Sequence, residues 1–335
     1  KVLVVTTPGF IRRGSLVSFF ESLTKSGLSY AVFSEVQPDP TTDCIEDAVA
    51  LYKQEKCEAI VAIGGGSVID SAKAIAAGVK YEGDFWDFFK DKDRKLVNDT
   101  MPVGVILTIA AAGSESSPSM VITNSDTKQK RGNIKTDVIR PVFAIMNPRL
   151  TMTLSNYQTA CGIVDILMHT LERFLNDIPC QYFTDEVAIG IMRTVINCGK
   201  IAYENPYDYD ARAALMLASS YSHNGLTGLG GNFYFTVHKL EHEISGTFDE
   251  VAHAAGLSVL YSGWALSVYD KLPYKFAKFA RRVLDINISD DLECAKEGIY
   301  VLREYFKSIG MPVTLSELNI KELDHLPMAN RITKN

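Results

Sequence analysis

The first 150 residues alternate short β-branched runs with amphipathic stretches, and that alternation restricts what this chain can fold into more than any other feature. Val2–Val5, Tyr30–Phe33, Ala59–Ile63, Val103–Leu107 and Val142–Ile145 read as strands. Between the first three lie a helix over Gly14–Ser26, with Leu16, Phe19, Phe20 and Leu23 on one face, and a second over Asp43–Lys56. The second opens after the turn-rich Pro38-Asp39-Pro40-Thr41-Thr42. Parallel strands need long crossovers, and helices at this spacing supply them, so the pattern predicts an α/β layer with a largely parallel sheet. After Asn147-Pro148 the texture changes. Asn156–Asn176, Phe183–Asn197, Asp208–Gly225 and Asp291–Ser308 read as helices, and strand-like runs become scarce. For a chain of 335 residues two domains are expected: an α/β N-terminal domain over 1–150 and a mainly α-helical C-terminal domain over 151–335.

A hydrophobic fraction of 47% with 22% charged residues describes an ordinary globular protein. The net charge of −6 argues against nucleic-acid and anionic-membrane partners. No apolar run reaches the length of a membrane span, and Val2–Val5 opens without a signal peptide's apolar region, so a cytoplasmic enzyme is expected. The six cysteines (Cys44, Cys57, Cys161, Cys180, Cys198, Cys294) are scattered, which suggests reduced thiols. Cys161 falls one helical turn before Asp165 and reads as a core thiol rather than a ligand.

The second half holds a constellation of Asp165-x3-His169, His238-x3-His242 and His253. Residues four apart share one helix face. Ile163, Val164, Ile166, Leu167 and Met168 surround the first pair with apolar sequence, and a buried charge is costly unless paired or coordinated. One Asp-x3-His can be a plain ion pair on a helix, whereas three linked elements favour a metal. A carboxylate with imidazoles suits iron or zinc, and the set exceeds what a four-coordinate site needs, leaving one imidazole free.

Gly64-Gly65-Gly66-Ser67 lies where a strand gives way to a helix. Glycines there let the backbone approach a pyrophosphate, with Ser67 as helix N-cap or phosphate donor. The loop is not the G-x-G-x-x-G fingerprint, and a tight strand-to-helix turn is the alternative; three consecutive glycines favour phosphate. A nucleotide on the first domain, a metal on the second and substrate in the cleft between them make a hydride-transfer enzyme, in which a Lewis acid beside a nicotinamide polarises an alcohol or carbonyl oxygen.

Taken together, Gly64-Gly65-Gly66-Ser67-Val-Ile-Asp70-Ser-Ala-Lys73, Ala112-Gly113-Ser114-Glu115, Gly162-Ile-Val-Asp165-Ile-Leu-Met-His169, His238-Lys-Leu-Glu-His242-Glu-Ile-Ser and His253-Ala-Ala-Gly-Leu resemble the iron-containing (group III) alcohol dehydrogenase family. Leu107-Thr108 and Glu241-His242-Glu-Ile-Ser look most like its butanol dehydrogenase or aldehyde reductase branch. The resemblance implies metal ligation by Asp165, His169, His238 and His253, with Fe2+ or Zn2+ bound. It gives His242 a place beside nicotinamide and substrate, where a proton relay fits. It carries cofactor contacts onto Thr7, Gly64, Gly65, Gly66, Ser67, Asp70, Thr108 and Lys130, and more weakly onto Ser117. It implies a homodimer acting on an alcohol or aldehyde. In the family the position matching Thr7 often holds an aspartate in NAD-preferring members; Thr7 and the nearby Arg12 and Arg13 therefore lean the expectation to NADP over NAD.

This chain departs from the family pattern in places. The stretch from His242 to His253 is one residue longer, Ala254 follows the last ligand in place of glycine, and Ala112 and Asn147 replace a threonine and an aspartate. The ends, Lys1 and Lys334-Asn335, match internal family segments, which leads us to expect shortened termini. Two alternative readings are a glycerol-dehydrogenase-like or dehydroquinate-synthase-like enzyme on the same scaffold, and a non-catalytic metal- or nucleotide-binding module.

Overall fold

The computed structural model describes residues 1–333 other than 91, 134, 135, 179, 180, 233, 249 and 324; Cys180 and Lys334-Asn335 thus lie outside the described residues. Contacts divide the chain into two compact units, residues 1–108 with 114–147, and residues 109–113 with 148–335.

The first unit is a five-stranded parallel sheet in the order β2-β1-β3-β4-β7. Its strands are β1 (Val2–Val5), β2 (Tyr30–Phe33), β3 (Ala59–Gly64), β4 (Val103–Leu107) and β7 (Phe143–Ile145). Register runs Val2↔Tyr30, Val2↔Ala59, Ile60↔Val103 and Gly104↔Phe143. Leu3, Val4, Val5, Ile60, Ala62 and Val105 are buried, as expected of strands covered on both faces. The crossovers are helices α1 (Pro8–Arg12), α2 (Val17–Lys25), α3 (Thr42–Gln54) and α4 (Gly66–Lys80).

The helix expected over Gly14–Ser26 is α2, which starts at Val17; Gly14, at a left-handed φ of 65°, lies between it and the short α1, which was not expected. Leu16 and Phe19, Phe20 and Leu23 still pack on Val4 and Ile63. An antiparallel pair, β5 (Met120–Thr123) and β6 (Lys130–Asn133), was not expected. Its turn is closed by the Asn124 side chain, which accepts from the amides of Asp126 and Thr127.

The second unit is helical: α5 (Asn156–Phe174), α6 (Tyr182–Glu204), α7 (Tyr209–His223), α8 (Thr236–Ser245), α9 (His253–Val268), α10 (Pro273–Val283), α11 (Asp291–Ser308) and α12 (His325–Thr333). Helix α5 starts at an N-cap, Ser155, whose hydroxyl accepts from Gln158 N at 3.2 Å. From Gly162 to Phe174 every side chain of α5 is buried, so it is the central helix of this unit rather than an amphipathic surface helix. Ile163, Ile166, Leu167 and Leu171 pack there with Met192, Leu257, Tyr261, Leu302 and Phe306. Among the described residues no helix is long and apolar enough to cross a membrane.

Candidate metal centre and glycine loop

Burial of α5 on all sides makes Asp165 and His169 exceptional: a carboxylate and an imidazole, each about 5–6% exposed, in an apolar helix. Helix α8 brings His238, also buried, to the same point, and the first residue of α9 brings His253. Asp165 Oδ1 lies 3.1 Å from His169 Nδ1, 3.7 Å from His238 Nε2 and 3.8 Å from His253 Nε2. One donor atom from each of Asp165, His169 and His238 falls within 4.8 Å of the others.

Asp165 Oδ1, His169 Nδ1 and His238 Nε2 are buried without a hydrogen-bond partner. Orphaned buried polar atoms are costly, and three converging on one point fit a cation. Ligand bonds of about 2.0–2.2 Å from one ion separate neighbouring donor atoms by about 3–4 Å, as here. One carboxylate oxygen with imidazole nitrogens is a donor set for iron or zinc.

His242 lies one turn beyond His238 on α8, half-buried, its ring centroid 5.6 Å from that of His253. It groups with Glu241 and His253 rather than with Asp165. Cys161 is half-buried, burial pushes its thiol up to about 11, and it stands apart from both groups.

Several residues at this centre escaped the reading of the sequence. Glu172, in the last turn of α5, accepts from His238 Nδ1, and Glu241 accepts from His253 Nδ1. The Arg173 guanidinium donates to His169 O at 2.9 Å and Ser222 O at 3.0 Å and lies 4.4 Å from the Phe235 ring centroid. His223 packs edge-on against His169 with centroids 4.2 Å apart. These neighbours drive the two buried histidines in opposite directions. Burial, then His223, His238 and Arg173, hold the His169 imidazole well below its usual range. Burial also opposes charge on His238, but Glu172 and Asp165 outweigh it and push its pKa up to about 9. The available signal was charge inside the apolar periodicity of α5, where Glu172 and Arg173 come three and four residues after His169.

In the first unit the glycine loop closes β3 onto α4. Gly64 is a packing requirement: a Cβ there would sit 2.5 Å from Val68 Cγ2. The helix N-cap is Gly65, so Ser67 lies inside the first turn, and the expectation of Ser67 as N-cap is corrected. Gly65, Gly66 and Ser67 are half-buried, and Thr7 is half-buried in extended conformation before Pro8. Thr108 follows the last residue of β4 and donates its amide to Gly64 O at 3.1 Å. Lys130 pairs with Asp39 at 2.6 Å. Asp70 accepts from Val121 N at 2.9 Å and from the Ser114 hydroxyl.

Lys73, fully buried, reaches the carbonyls of Ser114, Ser117 and Ser119 at 2.6, 3.0 and 2.7 Å. Burial lowers its pKa to about 8, with Asp70 and Glu115 opposing. Ser117, 1% exposed, turns its hydroxyl toward Lys73 and accepts from Ser119 N. Asp70, Lys73 and Ser117 thereby shape the segment after Gly113.

The family model described as iron-containing alcohol dehydrogenase matches residues 1–148, and the model of that family's C-terminal domain matches 159–334. NADH-dependent butanol dehydrogenase A of Clostridium acetobutylicum is 36% identical over 100% of this chain and 86% of its own length. NADPH-dependent aldehyde reductase YqhD of Escherichia coli is 31% identical over 96% of this chain and 82% of its own. Among solved structures, NADH-dependent butanol dehydrogenase A from Thermotoga maritima superposes with a TM-score of 0.93 at 34% identity, covering 99% of this chain and 82% of that one.

Proposed function

We infer that this chain, which belongs to the iron-containing alcohol dehydrogenase family, transfers hydride between a nicotinamide cofactor and an aldehyde/primary alcohol pair. The observation that carries the reading is the set of buried, partnerless donor atoms on Asp165, His169 and His238, with His253 Nε2 alongside. These four side chains would hold a divalent iron or zinc ion. When bound, the ion supplies Lewis acidity that polarises a carbonyl or alcohol oxygen, and the nicotinamide supplies or accepts hydride.

The protein's own part is positioning and proton movement. His242, half-buried and outside the Asp165 group, is our candidate proton relay, giving a proton to the product oxygen as an aldehyde is reduced. We assign cofactor binding to a domain over residues 1–150, on the amides of Gly64, Gly65 and Gly66 with Ser67, Thr7, Thr108 and Lys130. Asp70 and Ser117 act there by holding the adjacent loop. Metal binding is assigned to a domain over residues 151–335. We expect NADP to be preferred over NAD, a homodimer, and a reducing, cytoplasmic setting for the free thiols.

The test is reconstitution of metal-free protein with Fe2+ or Zn2+, followed by NADPH and NADH oxidation with a panel of aldehydes. Metal-dependent turnover is expected. Protein that binds metal and cofactor without turning over any aldehyde would be a binding module instead, and sedimentation as a monomer at micromolar concentration would refute the dimer.

A further inference from the structure

Two of the three ligand imidazoles are backed by glutamates, and the two glutamates come from different helices. Glu172 projects from α5, the helix that carries Asp165 and His169, and is 2% exposed. It accepts from His238 Nδ1, from Val237 N at 2.7 Å and from His238 N at 3.3 Å. Three donors therefore share its two oxygens. The helix it meets begins abnormally: the N-cap of α8 is Phe235, in left-handed conformation at φ 47°, with no side-chain cap bond of its own. Glu172 takes over that capping role from another helix. Its own position, in the last turn of α5, is one where the helix dipole disfavours a carboxylate; the α8 N-terminus compensates.

Glu241 is fully buried on α8 and accepts from His253 Nδ1 at the start of α9. Room for it comes from Gly256, where a Cβ would lie 2.7 Å from Glu241 Cγ. An ionised carboxylate can only accept, so in the neutral imidazole each glutamate fixes the proton on Nδ1 and leaves Nε2 as the lone-pair nitrogen. Those two Nε2 atoms are the ones that approach Asp165 Oδ1.

The geometry points to Glu172 and Glu241 as positioning residues that orient His238 and His253 for metal binding, Glu172 additionally setting where α8 begins. This rests on the metal reading above. It makes α5, α8 and α9 a chain in which each helix orients the ligand of the next.

The experiment measures Zn2+ affinity by chelator competition, and the Co2+ ligand-field spectrum, for wild type, E172Q, E241Q and E243Q. An amide has one acceptor oxygen, so E172Q turns an NH2 group toward a donor that Glu172 now satisfies. Affinity should fall about 10–100-fold in E172Q, about tenfold in E241Q, whose histidine is more exposed, and less than twofold in E243Q. Glu243 pairs with Arg331 near the C-terminal end of α8 and controls for general loosening of that helix. The Co2+ spectrum should change in the first two variants alone.

Zn2+ affinity within twofold of wild type in both E172Q and E241Q would overturn the assignment, as would an equal loss in E243Q. If E172Q does not fold, E241Q decides alone, since the first amides of α8, those of Val237 and His238, bond to Glu172. Wild type that holds no Zn2+ would overturn the metal reading itself, an outcome distinct from variants that match a metal-binding wild type.

Discussion

The glycine loop of the first unit and the histidine centre of the second are built by opposite means. The loop is backbone: Gly65 at the N-cap, Gly64 tight against Val68, and a buried lysine spending its charge on carbonyls. The centre is side chain: four donor atoms, two of them backed by buried glutamates, around a point where three atoms have no other partner. A site made of backbone fails when atoms are added, and a site made of side chains fails when atoms are removed. Each should therefore be breakable without the other.

The largest effects should come from removal at the histidine centre. His238→Ala takes away one of four donors and strands Glu172; stoichiometric metal should be lost and kcat/KM should fall about a thousandfold or more. NADPH binding, followed by fluorescence, should change little. His242→Ala should keep its metal while kcat drops about a hundredfold, the scale of a lost general acid. Two helical neighbours on α8 would then separate into ligand and relay. Equal loss of metal in both variants would erase that division, and full occupancy in His238→Ala would remove the metal centre altogether.

A smaller effect should follow from addition at the loop. Gly64→Ala forces Val68 and α4 to shift, and overpacking of this kind costs about 1–3 kcal/mol. Urea unfolding should register that loss and NADPH should bind more weakly, with metal content unchanged. Gly132→Ala makes a useful reference, because its nearest atom, Val121 Cγ2, is 3.7 Å from the added Cβ, and stability should stay within about 0.5 kcal/mol. A Gly64→Ala protein that sheds metal would mean the two sites are not independent.

The same contrast explains what was legible beforehand. Strands of the sheet announce themselves through β-branched runs, and Asp165 and His169 through helical spacing inside apolar sequence. Partners joined only by folding do not. Glu172 and His238 are 66 positions apart, and neither carries a mark naming the other. Left-handed backbone at Phe235 hides the start of α8, since an aromatic residue is a poor predictor of that conformation. The β5–β6 pair escaped because Lys130-Arg131-Gly132-Asn133 has neither apolar alternation nor β-branching, so its strand character comes from pairing alone. In α2 the reverse happened. Leu16, Phe19, Phe20 and Leu23 reach the predicted core although the helix begins at Val17, because burial constrains a face more tightly than its ends.

The smallest effect concerns cofactor choice at Thr7, between β1 and α1 of the first unit. Thr7 caps α1 in extended conformation with no side-chain hydrogen bond to the helix, so its side chain is free to be exchanged without loss of structure. Of the two nearby arginines, Arg13 lies along Gly9, 3.3 Å from the Cβ position, and over the Phe10 ring, centroid 5.5 Å away. Arg12 is exposed and is the better candidate to meet a 2′-phosphate. A carboxylate at position 7 would accept from ribose hydroxyls and repel that phosphate. At partly solvated separations one such like-charge contact is worth about 1–2 kcal/mol, so Thr7→Asp should move the NADPH/NADH ratio of kcat/KM about tenfold toward NADH. Arg12→Ala should shift the ratio in the same direction by less, because an exposed cation is screened. A wild-type enzyme that already favours NADH, or a Thr7→Asp variant with an unchanged ratio, would place the discriminating contact away from Thr7.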